Sequence, residues 1–230
     1  VVGDVEPKDI IRLADTYFGR IPASSKPEPL TTVEPPQKGE RRVVLEEQSQ
    51  RVMLLGYHKG NINNKDNAVF NAITDLLSQG RTSRLYRSLV RDKKIATQAG
   101  GFSGFPGQKY PGLFLFLALP SPGHTNEACE KAIDSEIVRL KTELVDDATL
   151  KAVKARARAG LIRQLNSNQG LALQLTFYQA VTGDWRTLFN QLDAIEAVTA
   201  QDIKRVTNDY FVKTNRSVAY LEPVKEVKKP

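Results

Sequence analysis

Residues 64–104, NKDNAVFNAITDLLSQGRTSRLYRSLVRDKKIATQAGGFSG, decide the fold of this chain. Their apolar residues first recur at i, i+3, i+4, i+7 and i+8, which is the spacing of a helix with one buried face. The residues of this face are Val69, Ala72, Ile73, Leu76 and Leu77. Gly80 is predicted to end the helix, because glycine adopts the left-handed cap conformation without strain.

A second, shorter helix and a strand complete this stretch. Thr82 or Ser83 is predicted to cap a helix that runs through Leu89, with Leu85 and Leu89 facing inward. After the charged residues 91–94 the pattern changes, and residues 95–99 are predicted to begin a strand. We therefore expect two helices joined by a glycine turn that cover the apolar faces of the flanking strands.

The rest of the chain supplies the strands and further helices. Predicted strands cover residues 41–47, 51–59, 95–103, 112–119 and 217–221, and the first two are predicted to form a pair. Four more helices are predicted: from Thr125 through Leu140, from Asp146 or Asp147 through Leu165, from Leu171 to a stop at Gly183, and from the capping-box sequence Thr199–Asp202 to Phe211. This order indicates an α+β fold, an antiparallel or mixed sheet covered on one face by helices.

Composition divides the chain into four parts. Residues 1–20 are predicted to be the tail of an upstream domain, with a helix whose apolar stripe is Ile10, Leu13, Ala14 and Tyr17. Residues 21–40 are rich in proline and predict an extended linker. Residues 41–223 form the main domain, and residues 224–230 form a charged tail.

The overall composition excludes several classes of protein. Cys129 is the single cysteine, so an internal disulfide and a cysteine-based zinc cluster are excluded. No apolar run approaches the about 20 residues that span a bilayer, which predicts a soluble protein of the cytoplasm or the periplasm. The net charge of +7 is spread along the chain and does not predict a nucleic-acid partner. The densest run of basic residues lies on one predicted helix and comprises Lys151, Lys154, Arg156, Arg158 and Arg163. It predicts a solvated or inter-subunit face, or alternatively a surface that binds acidic peptides or polyanions.

The sequence contains no recognisable catalytic motif. The two histidines, His58 and His124, are far apart, and His124 with Glu127 forms an H-x-x-E fragment that has Ala128 in place of a second imidazole. No G-x-S-x-G nucleophile turn occurs, and the glycines at 100–104 are not followed by the lysine of a phosphate loop. We expect no catalytic residue and no metal ligand in this chain.

The stretch SQGRTSRLYRSL at residues 78–89 resembles the second, non-catalytic half of pitrilysin-family (inverzincin) zinc peptidases, relatives of insulysin and the mitochondrial processing peptidase. Residues 2–5 and 17–19 look like the close of the family's catalytic half. Residues 182–184, 198–202 and 218–223 look like the close of its second half.

The resemblance implies a function. In that family two α+β halves enclose a peptide chamber, and an H-x-x-E-H motif in the first half binds zinc. At the matching helix this chain has Asn71, Thr74 and Asp75, so zinc is expected only in a catalytic partner half, upstream on the same chain or on a separate subunit. The chain is then expected to close the chamber and position peptide. The alternative is a structural scaffold subunit with no proteolytic role.

The resemblance also implies where peptide is contacted. Many second halves carry an arginine and a tyrosine, seven residues apart, which bind the substrate backbone. Alignment places Val90 and Thr97 at these positions, and a register slip of one residue places Arg91 and Gln98 there. The candidate peptide-binding residues are therefore Arg84, Arg91, Thr97 and Gln98. The long glycine-rich loop of processing peptidases is reduced here to Gln79 and Gly80, which argues against presequence recognition.

Overall fold

A single five-stranded sheet organises the molecule. The computed structural model describes residues 1–25, 27–28 and 30–224, so most of the predicted charged tail lies outside the described residues. The strand order is β1-β5-β2-β4-β3. The strands are β1 (Arg41–Glu47), β2 (Val52–Lys59), β3 (Ala96–Phe105), β4 (Gly112–Pro120) and β5 (Arg216–Pro223).

The sheet is mixed. β1 runs parallel to β5, whereas β2 is antiparallel to both β5 and β4, and β3 is antiparallel to β4. The first two predicted strands belong to this sheet, but the prediction that they pair with each other is wrong, because β5 lies between them. Strand order depends on contacts between residues that are distant in sequence, which the local pattern of residues 41–59 does not contain.

The predicted unit around Gly80 is confirmed. α2 (Asn67–Ser78) buries Val69, Ala72, Ile73, Leu76 and Leu77, and Gly80 has φ +74°. The following helix continues to Asp92, three residues beyond the prediction, and its π-helical part is Tyr86–Asp92. The Lys93 N–H donates to the Ser88 carbonyl in this wider turn. Neither predicted cap, Thr82 or Ser83, forms: no side-chain cap bond begins this helix, and Ser83 Oγ has no partner among the described residues.

The helices lie where the sequence places them, with one addition. They are α1 (Pro7–Phe18), α3 (Asn126–Thr142), α4 (Asp147–Leu165), α5 (Asn168–Thr182), α6 (Thr187–Glu196) and α7 (Ala200–Tyr210). Thr125 and Asp146 form the predicted N-caps, Thr199 and Asp202 form the predicted capping box, and Gly183 ends α5 at φ +86°. α6 was not predicted, although Leu188, Leu192 and Ile195 have helical spacing.

The core lies between the sheet and one helical layer. Alternate residues of β2, β4 and β5 face this core, among them Tyr57, Phe114 and Phe116. α2, α3 and α7 pack on the sheet, whereas α4 and α6 pack on α2, and α5 packs on α4 and α6. Gly101 allows this packing, because a Cβ at its position would lie 2.9 Å from the Phe116 ring. The prediction that β1, β2, β3 and β4 belong to one sheet, on which both helices around Gly80 pack, is confirmed.

Two further features bear on the surroundings of the domain. α1 contains no buried residue among its described positions, so its predicted apolar stripe is not covered by the rest of the chain. The described residues 22–25, 27–28 and 30–40 contain neither helix nor strand. Within the described part of the chain, each helix is too short or too polar to cross a membrane.

Candidate functional site

A charged cavity lies where α2 ends and the chain turns at Gly80. It has a volume of about 510 Å³ and is enclosed by the end of α2, residues 82–93, α3 and the first turns of α4. Leu85 and Leu89 are fully buried and hold the short helix against the core. Ser83, Arg84 and Arg87 of the same segment line the cavity. We call this space the Arg84 cavity.

The lining of the Arg84 cavity has more positive than negative charge. Five basic and three acidic residues line it: Arg84, Arg87, Lys93, Arg139 and Arg156, against Asp92, Glu136 and Asp146. Such an excess in a partly enclosed space attracts anions, because a low-dielectric wall strengthens the field of each charge.

Several of these charges are already engaged within the protein. The Arg139 Nε donates to Glu143 at 2.8 Å, and Arg156 forms an ion pair with Asp75 of α2. Asp146 caps α4 by accepting from the Thr149 N–H and hydroxyl. These residues contribute to the field in the cavity, but their own hydrogen bonds hold them in place.

Three buried atoms at the cavity have no hydrogen-bond partner among the described residues. They are Ser83 Oγ, Arg84 Nη1 and Glu136 Oε2. Burial lowers the pKa of Arg84, and the charge of Arg139 lowers it further. Residues that line the cavity thus hold two unused donors, a guanidinium N–H and a hydroxyl, and one unused acceptor. This arrangement can hold a polar group but contains no nucleophile–base pair.

Of the four candidate peptide-binding residues, one lines the Arg84 cavity and three lie outside its lining. Arg84 lines the cavity, but Arg91 is exposed and its Nε donates to the neighbouring Asp92 at 2.6 Å. Thr97 and Gln98 are exposed on β3, the edge strand, and the Thr97 hydroxyl donates to the Leu119 carbonyl. A register irregularity between Ala96 and Gln98 places Thr97 in a bulge. Arg91, Thr97 and Gln98 do not line the Arg84 cavity, whereas Asp92, the partner of Arg91, does.

Sequence reasoning missed part of the cavity. Glu136 and Arg139 come from α3, about fifty residues after Arg84, and no local pattern connects them to it. Arg156 was identified only as part of a basic helical run. The structure shows that part of this run is used within the protein, since Arg156 binds Asp75 and Arg158 binds Glu196.

The positions that match the zinc motif do not fit a metal. Asn71 is exposed on α2, and Asp75 is paired with Arg156. Among the described residues no group of three or more His, Cys, Asp or Glu side chains could hold a metal ion. His124 lies before α3, in a turn where its N–H donates to the Ser121 carbonyl, and His58 Nε2 lies 3.1 Å from Gln37 Oε1. Zinc chemistry is not supported by these residues.

Asn71 borders a second hollow. It has a volume of about 290 Å³ and is lined mainly by uncharged residues of α2, α4, α5 and α6, including Gly160, Leu161 and Tyr178. The surface beside the zinc-motif position is therefore uncharged.

Comparison with known proteins identifies relatives over nearly the whole chain. A model of the family described as "Peptidase M16 inactive domain" matches residues 1–157. The zinc protease PqqE of Helicobacter pylori is 29% identical over 228 residues, which are 97% of this chain and 50% of that protein. The chain thus spans about half the length of this curated relative.

Solved structures agree on the fold. The crystal structure of a protease from Helicobacter pylori superposes with a TM-score of 0.87 at 28% identity, covering 96% of this chain and 54% of the other. The peptidase M16 inactive domain from Pseudomonas fluorescens superposes with a TM-score of 0.78, covering 99% of this chain and 53% of the other. Its 17% identity supports likeness of fold alone.

Proposed function

The chain belongs to the peptidase M16 inactive domain family, and from this premise we propose that it acts as the non-catalytic half of a two-part zinc peptidase. In this role it closes the substrate chamber and helps to position peptide. Zinc and the activated water belong to the catalytic half. The α2 residues Asn71, Thr74 and Asp75 support this division of roles, because they offer no set of metal ligands.

The observation that carries the proposal is an uncovered apolar surface on α5 and α6. No described residue of α5 is buried, and four large side chains are 61%, 38%, 38% and 50% exposed: Leu173, Phe177, Trp185 and Phe189. Apolar surface of this kind marks an interaction site. The hollow that Asn71 borders is lined by other residues of the same two helices, among them Tyr178, Gln191 and Leu192.

The same proposal assigns the outlying parts of the chain. Residues 1–20 pack on the catalytic half, residues 21–40 connect the halves, and residues 41–223 form the non-catalytic domain. The lack of buried residues in α1 supports the first assignment.

We also propose that Arg84, Arg91, Thr97 and Gln98 contact peptide. The exposure of the last three supports that role, although they do not line the Arg84 cavity.

Reconstitution tests the proposal. The chain is mixed with a catalytic half that carries H-x-x-E-H and comes from the same organism, and hydrolysis of a fluorogenic peptide is measured. We expect the rate to rise with added chain and to saturate at equimolar amounts. Leu173→Asp should weaken the effect, whereas Gln169→Asp, at an exposed polar position of α5, should not.

The other outcomes are equally informative. Association without any change in hydrolysis would favour the scaffold alternative. A catalytic half that works at its full rate alone and does not bind this chain would refute the proposal.

A further inference from the structure

Three buried polar atoms without partners lie at one cavity. Buried side-chain polar atoms in native proteins are nearly always hydrogen bonded. Three residues depart from this rule within the described part of the chain: Ser83, Arg84 and Glu136. Ser83 is only 4% exposed, and all three residues line the Arg84 cavity. Their clustering indicates a place where a ligand supplies the missing partners.

We propose that the Arg84 cavity binds a small oxyanion, a carboxylate or a phosphoryl group, through the Arg84 guanidinium and the Ser83 hydroxyl. The planar guanidinium matches the geometry of both groups, and a hydroxyl donates to either. Arg139, Arg156 and Asp92 are neutralised by ion pairs with Glu143, Asp75 and Arg91. The lining charges outside these pairs are three basic and two acidic: Arg84, Arg87 and Lys93, against Glu136 and Asp146. The anion therefore enters a site whose basic residues outnumber its acidic ones.

Glu136 narrows the chemistry of the ligand. Its Oε2 lacks a donor, so the bound group must carry a hydrogen-bond donor close to its oxyanion. The last residue of a peptide does so, because an amide N–H lies next to its terminal carboxylate. A protonated phosphate also does so through its O–H. A simple fully deprotonated anion would instead face Glu136 with like charge.

The size of the cavity fits such a ligand. Its volume of about 510 Å³ falls within the range of small-molecule sites, about 300–1,000 Å³. This suits a phosphate or the last residues of a peptide rather than a long polymer. The inference goes beyond the proposed function, because anion binding is a property of this chain alone and is measured without a catalytic half.

Calorimetric titration of the intact chain at constant ionic strength tests the inference. The probes are inorganic phosphate, a short peptide with a free C-terminal carboxylate, and the same peptide with a C-terminal amide. We expect saturable binding at one site by phosphate, by the free-acid peptide or by both. Where the free acid binds, the amide should bind at least about tenfold more weakly.

The pattern of binding identifies the source of the anion. Binding of the free acid alone assigns a peptide terminus, and binding of phosphate alone assigns a phosphoryl group. If neither anion binds, the proposal is wrong and water fills the cavity. It is equally wrong if phosphate does not bind and the amide binds as tightly as the free acid.

Variants locate the binding site. Arg84→Gln should weaken binding at least about tenfold, since it removes a charged donor. Arg163→Gln is the matched control, because Arg163 is exposed on α4 outside the cavity and the variant removes the same charge. An equal loss in both variants would show a general charge effect and would overturn the proposal.

Ser83→Ala keeps the test valid if Arg84→Gln does not fold. It removes the partnerless hydroxyl without opening a large cavity, so binding should weaken about threefold to tenfold. The thermal unfolding temperature of the ligand-free chain should stay unchanged or rise, because a buried unsatisfied group is lost. Unchanged binding in a folded Ser83→Ala variant would show that the Ser83 hydroxyl does not contact the anion. That result would contradict the proposal.

Discussion

At the scale of single residues, a buried group of charges joins α3 to the two strands at one edge of the sheet. Glu130 of α3 accepts hydrogen bonds from Arg42 of β1 at 2.8 Å and from Arg216 of β5 at 3.2 Å. The Tyr220 hydroxyl donates to the same carboxylate, and Arg216 also binds Asp134. These contacts place β1 beside β5, because Arg42 and Arg216 need the same buried carboxylate.

The Glu130 carboxylate should make stability depend on pH. Burial raises the pKa of Glu130, but hydrogen bonds from Arg42 and Tyr220 and the nearby positive charges outweigh burial and leave that pKa below its ordinary value. A folded-state pKa below the unfolded value, about 4.3, means that the stabilisation is complete above that pH. It is lost as the pH falls through the folded-state pKa.

Glu130→Gln should therefore lower the free energy of unfolding by about 1–3 kcal/mol at neutral pH, since it removes a buried carboxylate shared by Arg42 and Arg216. Glu40 still pairs with both arginines in the variant, which limits the loss. The difference from the wild type should shrink below about pH 4. Urea unfolding at several pH values measures both effects. Glu127→Gln, exposed on the same helix, is the control, and equal losses in the two variants would contradict this account.

Arg91→Ala tests the proposed peptide contact. In the reassembled two-half enzyme it should lower kcat/KM about tenfold, the effect of losing one charge-assisted hydrogen bond to a peptide carbonyl. The unfolding temperature should not change, because Arg91 is exposed. Arg163→Ala on α4 serves as the control. Kinetics like those of the wild type would leave this region without a substrate role.

At the scale of elements, α2 is central because it lies between the sheet and the outer helices. It contacts β3 on one side and α4, α6 and α7 on others. α1 is its opposite, an amphipathic helix with no buried residue among those described. Their sequence patterns are alike, and the surroundings of each helix account for the difference in burial.

Leu76→Ala should lower the free energy of unfolding by about 2–5 kcal/mol, because Leu76 is only 5% exposed and its loss leaves a cavity. Leu173→Ala makes the same chemical change at an exposed position of α5 and should cost less than about 0.5 kcal/mol in the isolated chain. Chemical denaturation measures the free energy of unfolding of both variants. Equal losses would show that the α2 face is not core.

Deleting residues 1–20 should change the free energy of unfolding of the isolated chain by less than about 1 kcal/mol, since α1 buries no described residue. Association with the catalytic half, measured by calorimetry, should weaken. A clear loss of stability together with undiminished association would instead show that α1 belongs to this domain.

At the scale of the whole molecule, one helical layer packs on the sheet and the outer helices α4, α5 and α6 pack on that layer. The outer helices expose apolar side chains that nothing in the described residues covers. The chain spans about half the length of the curated relative described above.

The whole chain is expected to bind no zinc at stoichiometric amounts. A stable site needs three or four protein ligands in one geometry, and the described residues offer no such group. Elemental analysis after exhaustive dialysis measures this. Zinc at one equivalent that disappears in His124→Ala would contradict the expectation and place a ligand at the H-x-x-E fragment.

The sequence alone determined the features that depend on neighbouring residues. The buried face of α2, the turn at Gly80, the capping box at Thr199 and the stop at Gly183 are all readable because each forms within one or two helical turns. The likeness of residues 78–89 to a peptidase half also came from local sequence, and the family match agrees with it.

Only the tertiary structure decided which distant residues meet. It placed β5 between β1 and β2, and it brought Glu136 and Arg139 to Arg84 across about fifty residues of chain. It also left Ser83 Oγ without the cap bond that its position predicts. The physical reason is common to these cases: strand order and buried charge pairing minimise the free energy of the whole packed chain, and local periodicity carries no record of them.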